Sequence, residues 1–408
     1  MAGELLDGVT SDPVRMGWMQ GSPPPKDKLL LASRADHMRF PMIRWSYSNM
    51  RQFVPSRRVA AGGEGRPFER AIDEQLAQVS FVPLNDEVPV TLEQSLTQAF
   101  TDGILVLHRG KVVFERWFGV TGPETRHIAF SVTKSFVGTI AEMLVEEGKL
   151  DPAAMASDYL PELVGSGFGD ATVRQVLDMT TALDFSEDYA DPNSGIGAYS
   201  AALGLTPRPA DYAGPIDLAS YLPAIGNAGE HGVGFTYRTP NTEVLAWMIA
   251  RIEGKHFADV LNERLWLPLG MPGDADLIVD QAGTAFAGGG LNLRLEDLAR
   301  FGEAMRLGGL GVIPEAVVQR ATHGGDPAHF DRNRYPQLPG WSYGSQWWIS
   351  NNNRGCFSAR GIHGQTLWVD PAAEMTVARF ASHPTAANGA NDPLSLPAWA
   401  ALAERLSS

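Results

Sequence analysis

Apolar and polar positions divide the chain into stretches of different character. Up to about position 90 no period holds. Pro23-Pro24-Pro25, Trp45-Ser46-Tyr47 and Gly62-Gly63 punctuate a segment too rich in Trp and Phe for a disordered tail, and it is expected to wrap over a folded body as an arm. A short helix is expected at 91–100. The runs Ile104-Leu105-Val106-Leu107 and Val112-Val113-Phe114, on either side of Arg109-Gly110, predict a β-hairpin. Val132, Phe136, Val137, Ile140, Met143 and Leu144 then fall on one helical stripe, opened at Ser131 and closed by Gly148 and Asp151-Pro152.

From 156 to 264 helical patterns alternate with Gly/Pro-rich loops, and little reads as strand. Another amphipathic helix is expected at 298–307. Gln346-Trp347-Trp348-Ile349, 365–369 and 375–380 read as strands, the last two joined at Asp370-Pro371, and a helix at 398–406 closes the chain. Strands near both ends around a helical middle predict an α/β (α+β) protein with one sheet built from both termini. The expected division is an arm (1–90), a sheet domain (91–155 with 265–408) and a helical domain (156–264), with a site at their junction.

Composition narrows the function. Hydrophobic residues make up 44% of the 408 positions and charged residues 20%, enough for an ordinary core. The net charge is −14 and no basic stripe exists, so nucleic acid is not an expected partner. No stretch approaches the roughly 20 apolar residues of a membrane span, and 1–12, with Glu4 and Asp7, lacks a signal-peptide core. A cytoplasmic location without membrane association is therefore expected. The single cysteine, Cys356, allows no intrachain disulfide, and the histidines form no His-x-His or His-x-x-x-His, so no metal or other cofactor is expected. Gly-x-Ser-x-Gly and Gly-x-x-x-x-Gly-Lys are both absent, and Gly288-Gly289-Gly290 reads as a flexible turn.

The chemistry begins at Ser131 and Lys134. Three positions apart on a helix they share a face, and Ser131 falls in the first turn, where free N–H groups favour developing negative charge. Of the six lysines only Lys134 has a serine three residues earlier. Its amine can activate the hydroxyl only when neutral; lowering its pKa from about 10.4 to about 7–8 costs about 4 kcal/mol, which burial or a nearby cation can supply. A helix cap beside a solvated lysine is the plainer account of the same spacing. The stretch from Ala359 through Gly361, Ile362, His363 and Gly364 to Gln365 precedes an apolar strand and has the glycines that close substrate approach needs; an edge strand there could complete an oxyanion hole with the Ser131 N–H. A second proton-handling group is also required, and nine tyrosines are available.

The segments Phe130-Ser131-Val132-Thr133-Lys134-Ser135, Glu187-Asp188-Tyr189-Ala190-Asp191-Pro192, Tyr237-Arg238-Thr239-Pro240-Asn241-Thr242 and 361–371 resemble, in order, the class C β-lactamase-related serine hydrolases, with the 6-aminohexanoate-dimer (nylon-oligomer) hydrolases the closest group. The resemblance implies a β-lactamase/penicillin-binding-protein-like fold, an antiparallel sheet flanked by helices beside an all-helical region. It implies Ser131 as nucleophile, Lys134 as its base partner, Tyr237 as proton relay to the leaving group and Ile362 N–H as second oxyanion donor. It selects Tyr237 over Tyr47-Ser48-Asn49, a literal Tyr-x-Asn that precedes Ser131. Which of Lys134 and Tyr237 takes the first proton stays open. Tyr189 matches a substrate-binding tyrosine, and Gly288, Arg360 and His363 are further candidates for the substrate pocket.

Three departures shape the expected substrate. Ala359-Arg360-Gly361 stands where relatives that bind β-lactams have Lys-Thr-Gly, Gly288 replaces a pocket asparagine, and Thr239 replaces the asparagine of Tyr-x-Asn. Small linear amides or esters, cleaved through an acyl-enzyme, are expected. A β-lactamase or D-alanyl-D-alanine peptidase and a non-catalytic binding protein are the alternatives, and a homodimer is left open.

Overall fold

The computed structural model describes residues 6–408 except 64, 190, 192, 332 and 333, so Ala190 and Pro192 of the second resembling segment lie outside the described residues. Its centre is a seven-stranded antiparallel sheet of β1 (Thr101–His108), β2 (Lys111–Trp117), β3 (Ser342–Gly344), β4 (Trp347–Ile349), β5 (Phe357–Gly361), β6 (Gln365–Asp370) and β7 (Met375–Ala381), in the order β2-β1-β7-β6-β5-β4-β3. The β1–β2 hairpin turns through Arg109 (φ 52°) and Gly110 (φ 77°). Positive φ at both central residues matches the twist of the paired strands. Strand β1 is apolar on both faces because both are covered: Leu105 and Leu107 join the cluster of Leu298 and Phe301 from α3 (Leu295–Arg306), while Ile104 and Val106 join that of Trp399 and Leu402 from α4 (Asp392–Ser407).

Helix α1 (Thr133–Glu146) is buried on every side through Leu144, not on the single stripe that its spacing predicts. It is sandwiched: α2 (Pro240–Glu253) packs on it from the helical region, and the helix Glu315–His323 and β4 from the other side. Burial even takes in Glu142, whose carboxylate holds Arg174 at 2.6 Å, Arg320 at 2.7 Å and the Ser345 hydroxyl at 2.6 Å. Sequence pattern cannot distinguish such a satisfied buried carboxylate from a solvated one.

The expectation of one sheet needs correction. A separate four-stranded sheet runs Ser56–Val59, Ala275–Ile278, Leu291–Leu293, His127–Ile128. Its strands are two to four residues long, too short for an alternation to register. One of them, Ser-Arg-Arg-Val, comes from the arm. This sheet leads through Ile128 directly into the Ser131 turn. Helix α4 begins at Asp392, earlier than the expected 398, because Pro393 falls at its second position, within the first turn, where a missing N–H costs nothing, and Pro397 is accommodated farther along.

Candidate active site

Ser131 lies in a 3-10 turn, Phe130–Val132, that runs straight into α1. In a 3-10 turn positions i and i+3 eclipse, which brings the Lys134 Nζ to 3.1 Å from the Ser131 Oγ. Phe130 takes φ 44°, a left-handed conformation that costs a bulky residue about 1–2 kcal/mol. Packing holds it there: its ring lies edge-on to Tyr47 at 4.9 Å and against His363 at 5.8 Å.

Lys134 is 1% exposed. Burial lowers its pKa from 10.5 to about 8, against the opposing pull of the Glu187 and Glu243 carboxylates. Its second partner is the Gly288 carbonyl at 2.5 Å. Gly288 thus orients the lysine, while also lining the larger cavity described below. The turn around it is rigidly held and not flexible as the glycines alone suggest. A Cβ on Gly288 would come within 2.6 Å of Thr239 Cγ2 and 2.7 Å of Glu243 Oε1, and one on Gly289 or Gly290 would meet Phe286. Glu243 fixes the turn by accepting from the N–H groups of Ala287 (2.9 Å) and Gly288 (2.7 Å) and from the Tyr199 hydroxyl (2.5 Å). Burial raises the Glu243 pKa to about 7.

Tyr237 stacks on Trp348 at 5.6 Å and meets Tyr343 edge-on at 5.9 Å. Burial raises its phenol well above the usual range, opposed by a hydrogen bond with Ser131. Its ring centroid lies 5.3 Å from the Lys134 Nζ. Thr239 spends its hydroxyl on Glu187 Oε1 (2.5 Å) and its N–H on Oε2 (2.9 Å). Tyr189, exposed at the cleft, donates to the same carboxylate at 2.8 Å. Glu187 therefore ties together the Tyr189 loop and the start of α2, a part that its position in the sequence does not reveal.

Strand β5 is not an edge strand as expected; it lies between β6 and β4. Pairing to β4 covers only Phe357 and Ser358, whereas pairing to β6 continues to Gly361. The free flank of its last residues faces the Ser131 turn. A Cβ on Gly361 would sit 2.6 Å from the Ala129 carbonyl, so glycine sets that approach. Ile362 follows and lines the same cavities as Ser131. Arg360 is also buried there, but its guanidinium is committed to Asp392 and to the faces of Trp348 and Trp341 at 5.3 and 5.7 Å. His363, in a left-handed conformation (φ 62°), gives its Nδ1 to the His383 carbonyl at 2.7 Å, and burial pushes its pKa down to about 4, leaving a neutral ring beside the cavity.

Two cavities meet at Ser131 and Ile362. The larger, about 590 Å³, is walled by Met38, Ile196, Leu205 and Phe286, with Glu187 and Asp188 and no Lys or Arg among its lining residues. The smaller, about 280 Å³, has Tyr335, Leu338 and Trp348 together with Arg334, the Arg360–Asp392 pair and Glu187, which both cavities share. Among the described residues no cluster of His, Cys, Asp and Glu is arranged to hold a metal ion, and no helix is long and apolar enough to cross a membrane.

The profile of the Beta-lactamase family matches residues 91–396. The 6-aminohexanoate-dimer hydrolase of Paenarthrobacter ureafaciens is 35% identical over 350 residues, 84% of this chain and 86% of that protein. A Bacillus anthracis protein assigned as a 6-aminohexanoate-dimer hydrolase superposes with a TM-score of 0.85 at 28% identity, covering 94% of this chain and 99% of its own. A family VIII carboxylesterase, at 14% identity and TM-score 0.55 over 76% of this chain and 97% of its own, shares the fold. The antiparallel sheet flanked by helices, the match over three quarters of the length and the buried serine–lysine pair agree: the chain belongs to the β-lactamase family and is a serine hydrolase.

Proposed function

We propose that the protein hydrolyses small linear amides or esters by acyl transfer to Ser131, with the arm (1–90), the sheet domain (91–155 and 265–408) and the helical domain (156–264) meeting at the site. The observation that carries this reading is one hydroxyl, at the meeting point of two cavities, with an amine at 3.1 Å and, on the wall of the smaller cavity, a phenol whose ring lies 5.3 Å from that amine. Their opposite shifts divide the labour. Burial brings the Lys134 pKa down to about 8, so part of the amine is neutral near pH 7 and can take the serine proton. The phenol stays protonated and can give one up. Ser131 Oγ attacks the carbonyl carbon as its proton passes to Lys134, and the N–H groups of Ser131 and Ile362 receive the oxyanion. Tyr237 protonates the leaving nitrogen or oxygen as the scissile bond breaks, and the Lys134 proton restores the phenol. Water then attacks the acyl-enzyme by the same route in reverse, giving the acid and free Ser131.

Asp188 lines only the larger cavity and Arg334 only the smaller, which favours a chain with an ammonium group in the first and a carboxylate in the second. That polarity suits an amide between two ω-amino acids, the kind of molecule in the name of the Paenarthrobacter relative. Against a β-lactamase or D-alanyl-D-alanine peptidase stands Arg360, whose charge is already matched by Asp392. A cytoplasmic location goes with this reading, the one cysteine being buried and unpaired.

A fluorophosphonate, p-nitrophenyl butyrate, 6-aminohexanoate dimer and nitrocefin test the proposal together. Expected are a single phosphonyl mass addition lost in Ser131→Ala, turnover of the ester and the dimer, and neglect of nitrocefin. Acetylating the dimer's amine should lower kcat/KM about fivefold, the scale of one partly exposed ion pair. A wild type that neither labels nor turns over would leave a non-catalytic binding protein.

A further inference from the structure

We propose that Tyr47, from the N-terminal arm, is a positioning residue for the oxyanion hole: its ring is the wedge that holds Phe130 and His363, and so the N–H donors of Ser131 and Ile362, in place. This rests on the reading of those two N–H groups as the oxyanion donors. The arm precedes the part of the chain that matches the family, which begins at 91. Yet Tyr47 is fully buried beside the nucleophile. Its ring lies edge-on to Phe130 at 4.9 Å, to His363 at 5.3 Å and to His127 at 6.0 Å. Its carbonyl accepts from the Ile128 N–H at 2.9 Å, which ties the arm to the strand that enters the Ser131 turn. One turn earlier, Arg44 pairs with Asp102 on β1 at 3.4 Å, both side chains 2% exposed. Met38, a few residues before, forms part of the larger cavity's wall.

The two donors come from separate segments, the turn before α1 and the end of β5; Gly361 lets the two approach, but it does not hold the peptide groups on either side in their orientations. Both neighbours hold left-handed backbone conformations, Phe130 at φ 44° and His363 at φ 62°. Such conformations persist only where surrounding packing over-determines them. The peptide group after Phe130 carries the Ser131 N–H, so a Phe130 that relaxes turns that donor away. Ile362 is held from its C-terminal side by His363, whose N–H and C=O are bound to Ala386 and His383 at 2.9 and 3.1 Å. The Tyr47 hydroxyl has no hydrogen-bond partner among the described residues. The ring, and not the hydroxyl, therefore acts.

The test compares wild type, Tyr47→Phe and Tyr47→Leu in the full chain. Active sites are counted by the end-point of phosphonylation at Ser131, and kcat and KM are measured for a p-nitrophenyl ester and its thionoester. Sulfur in place of the carbonyl oxygen accepts hydrogen bonds poorly, so the ester-to-thionoester rate ratio reports the oxyanion donors and not folding. Expected are a Tyr47→Phe enzyme within about twofold of wild type and a Tyr47→Leu enzyme whose kcat per labelled site falls at least tenfold, with KM nearly unchanged and the ratio collapsed, since one oxyanion donor is worth roughly 10²–10³ in kcat. Should Tyr47→Leu not fold, Tyr47→Met, which refills more of the space, carries the same comparison. An unchanged ratio in a folded variant, or a Tyr47→Phe enzyme as impaired as Tyr47→Leu, overturns the proposal. A wild type that does not label at all overturns instead the acyl-transfer reading beneath it.

Discussion

Lys134 is pulled two ways. Burial strips its ammonium of water, while Glu187 and Glu243 hold the proton on, and the balance falls at a pKa of about 8. Replacing Lys134 by Ala should lower the rate of Ser131 acylation by about 10²–10⁴, the usual worth of a positioned general base, with labelling followed by intact mass. Tyr237→Phe should separate by leaving group. Amide turnover needs a proton on nitrogen and should fall by about 10²–10⁴, whereas p-nitrophenolate leaves unaided and its ester should lose far less. Glu243→Gln removes a carboxylate that raises the lysine's pKa and sets an amide N–H₂ against backbone donors. The midpoint of the pH–rate curve should therefore drop below that of wild type while kcat also falls, as Gly288 loses its anchor. Ser131 and Lys134 are legible in the sequence because three positions of spacing already place them together. Glu187, Glu243 and the Gly288 carbonyl are not: they converge from positions 44 to 154 residues apart through tertiary packing, and Glu243 looks like any acidic residue near a helix start.

At the scale of elements, the end of β5 against the Ser131 turn is the contact on which acylation depends. Gly361→Ala should push the strand off the Ala129 carbonyl and cut kcat per labelled site at least tenfold, with the melting temperature affected far less; an unaffected kcat would show that the separation of strand and turn does not matter. The β1–β2 hairpin was readable because a two-residue turn between apolar runs is a local signal, and β6 and β7 because their apolar segments flank Asp370-Pro371. The four-stranded sheet was not, since a pairing such as Ser56 with Ile278 leaves no trace in either short segment. Burial around the whole of α1 was hidden for the same reason: a stripe predicts one partner, and the helix has several.

Across the whole molecule, the arm is part of the body. It supplies a strand beside Ala275–Ile278, a buried ion pair to β1 and a wall of the larger cavity. Deleting residues 1–60 should leave a chain that aggregates, because it uncovers the Ala275–Ile278 edge and the core around Tyr47; size-exclusion chromatography and circular dichroism would detect this, and a monodisperse deletion with a wild-type melting curve would contradict it. The sequence showed that this segment was too aromatic to be free, but an irregular stretch without period cannot reveal which surface it covers.

Acyl transfer to Ser131 depends on an amine that titrates near neutrality beside a hydroxyl, and the pH dependence of Ser131 phosphonylation measures it most directly. Followed by intact mass over roughly pH 6 to 10, the wild-type rate should climb about tenfold per pH unit and level off near the Lys134 pKa of about 8, a rise that Lys134→Ala should lack. A rate flat across that range, or a Lys134→Ala protein labelled as fast as wild type, would contradict it.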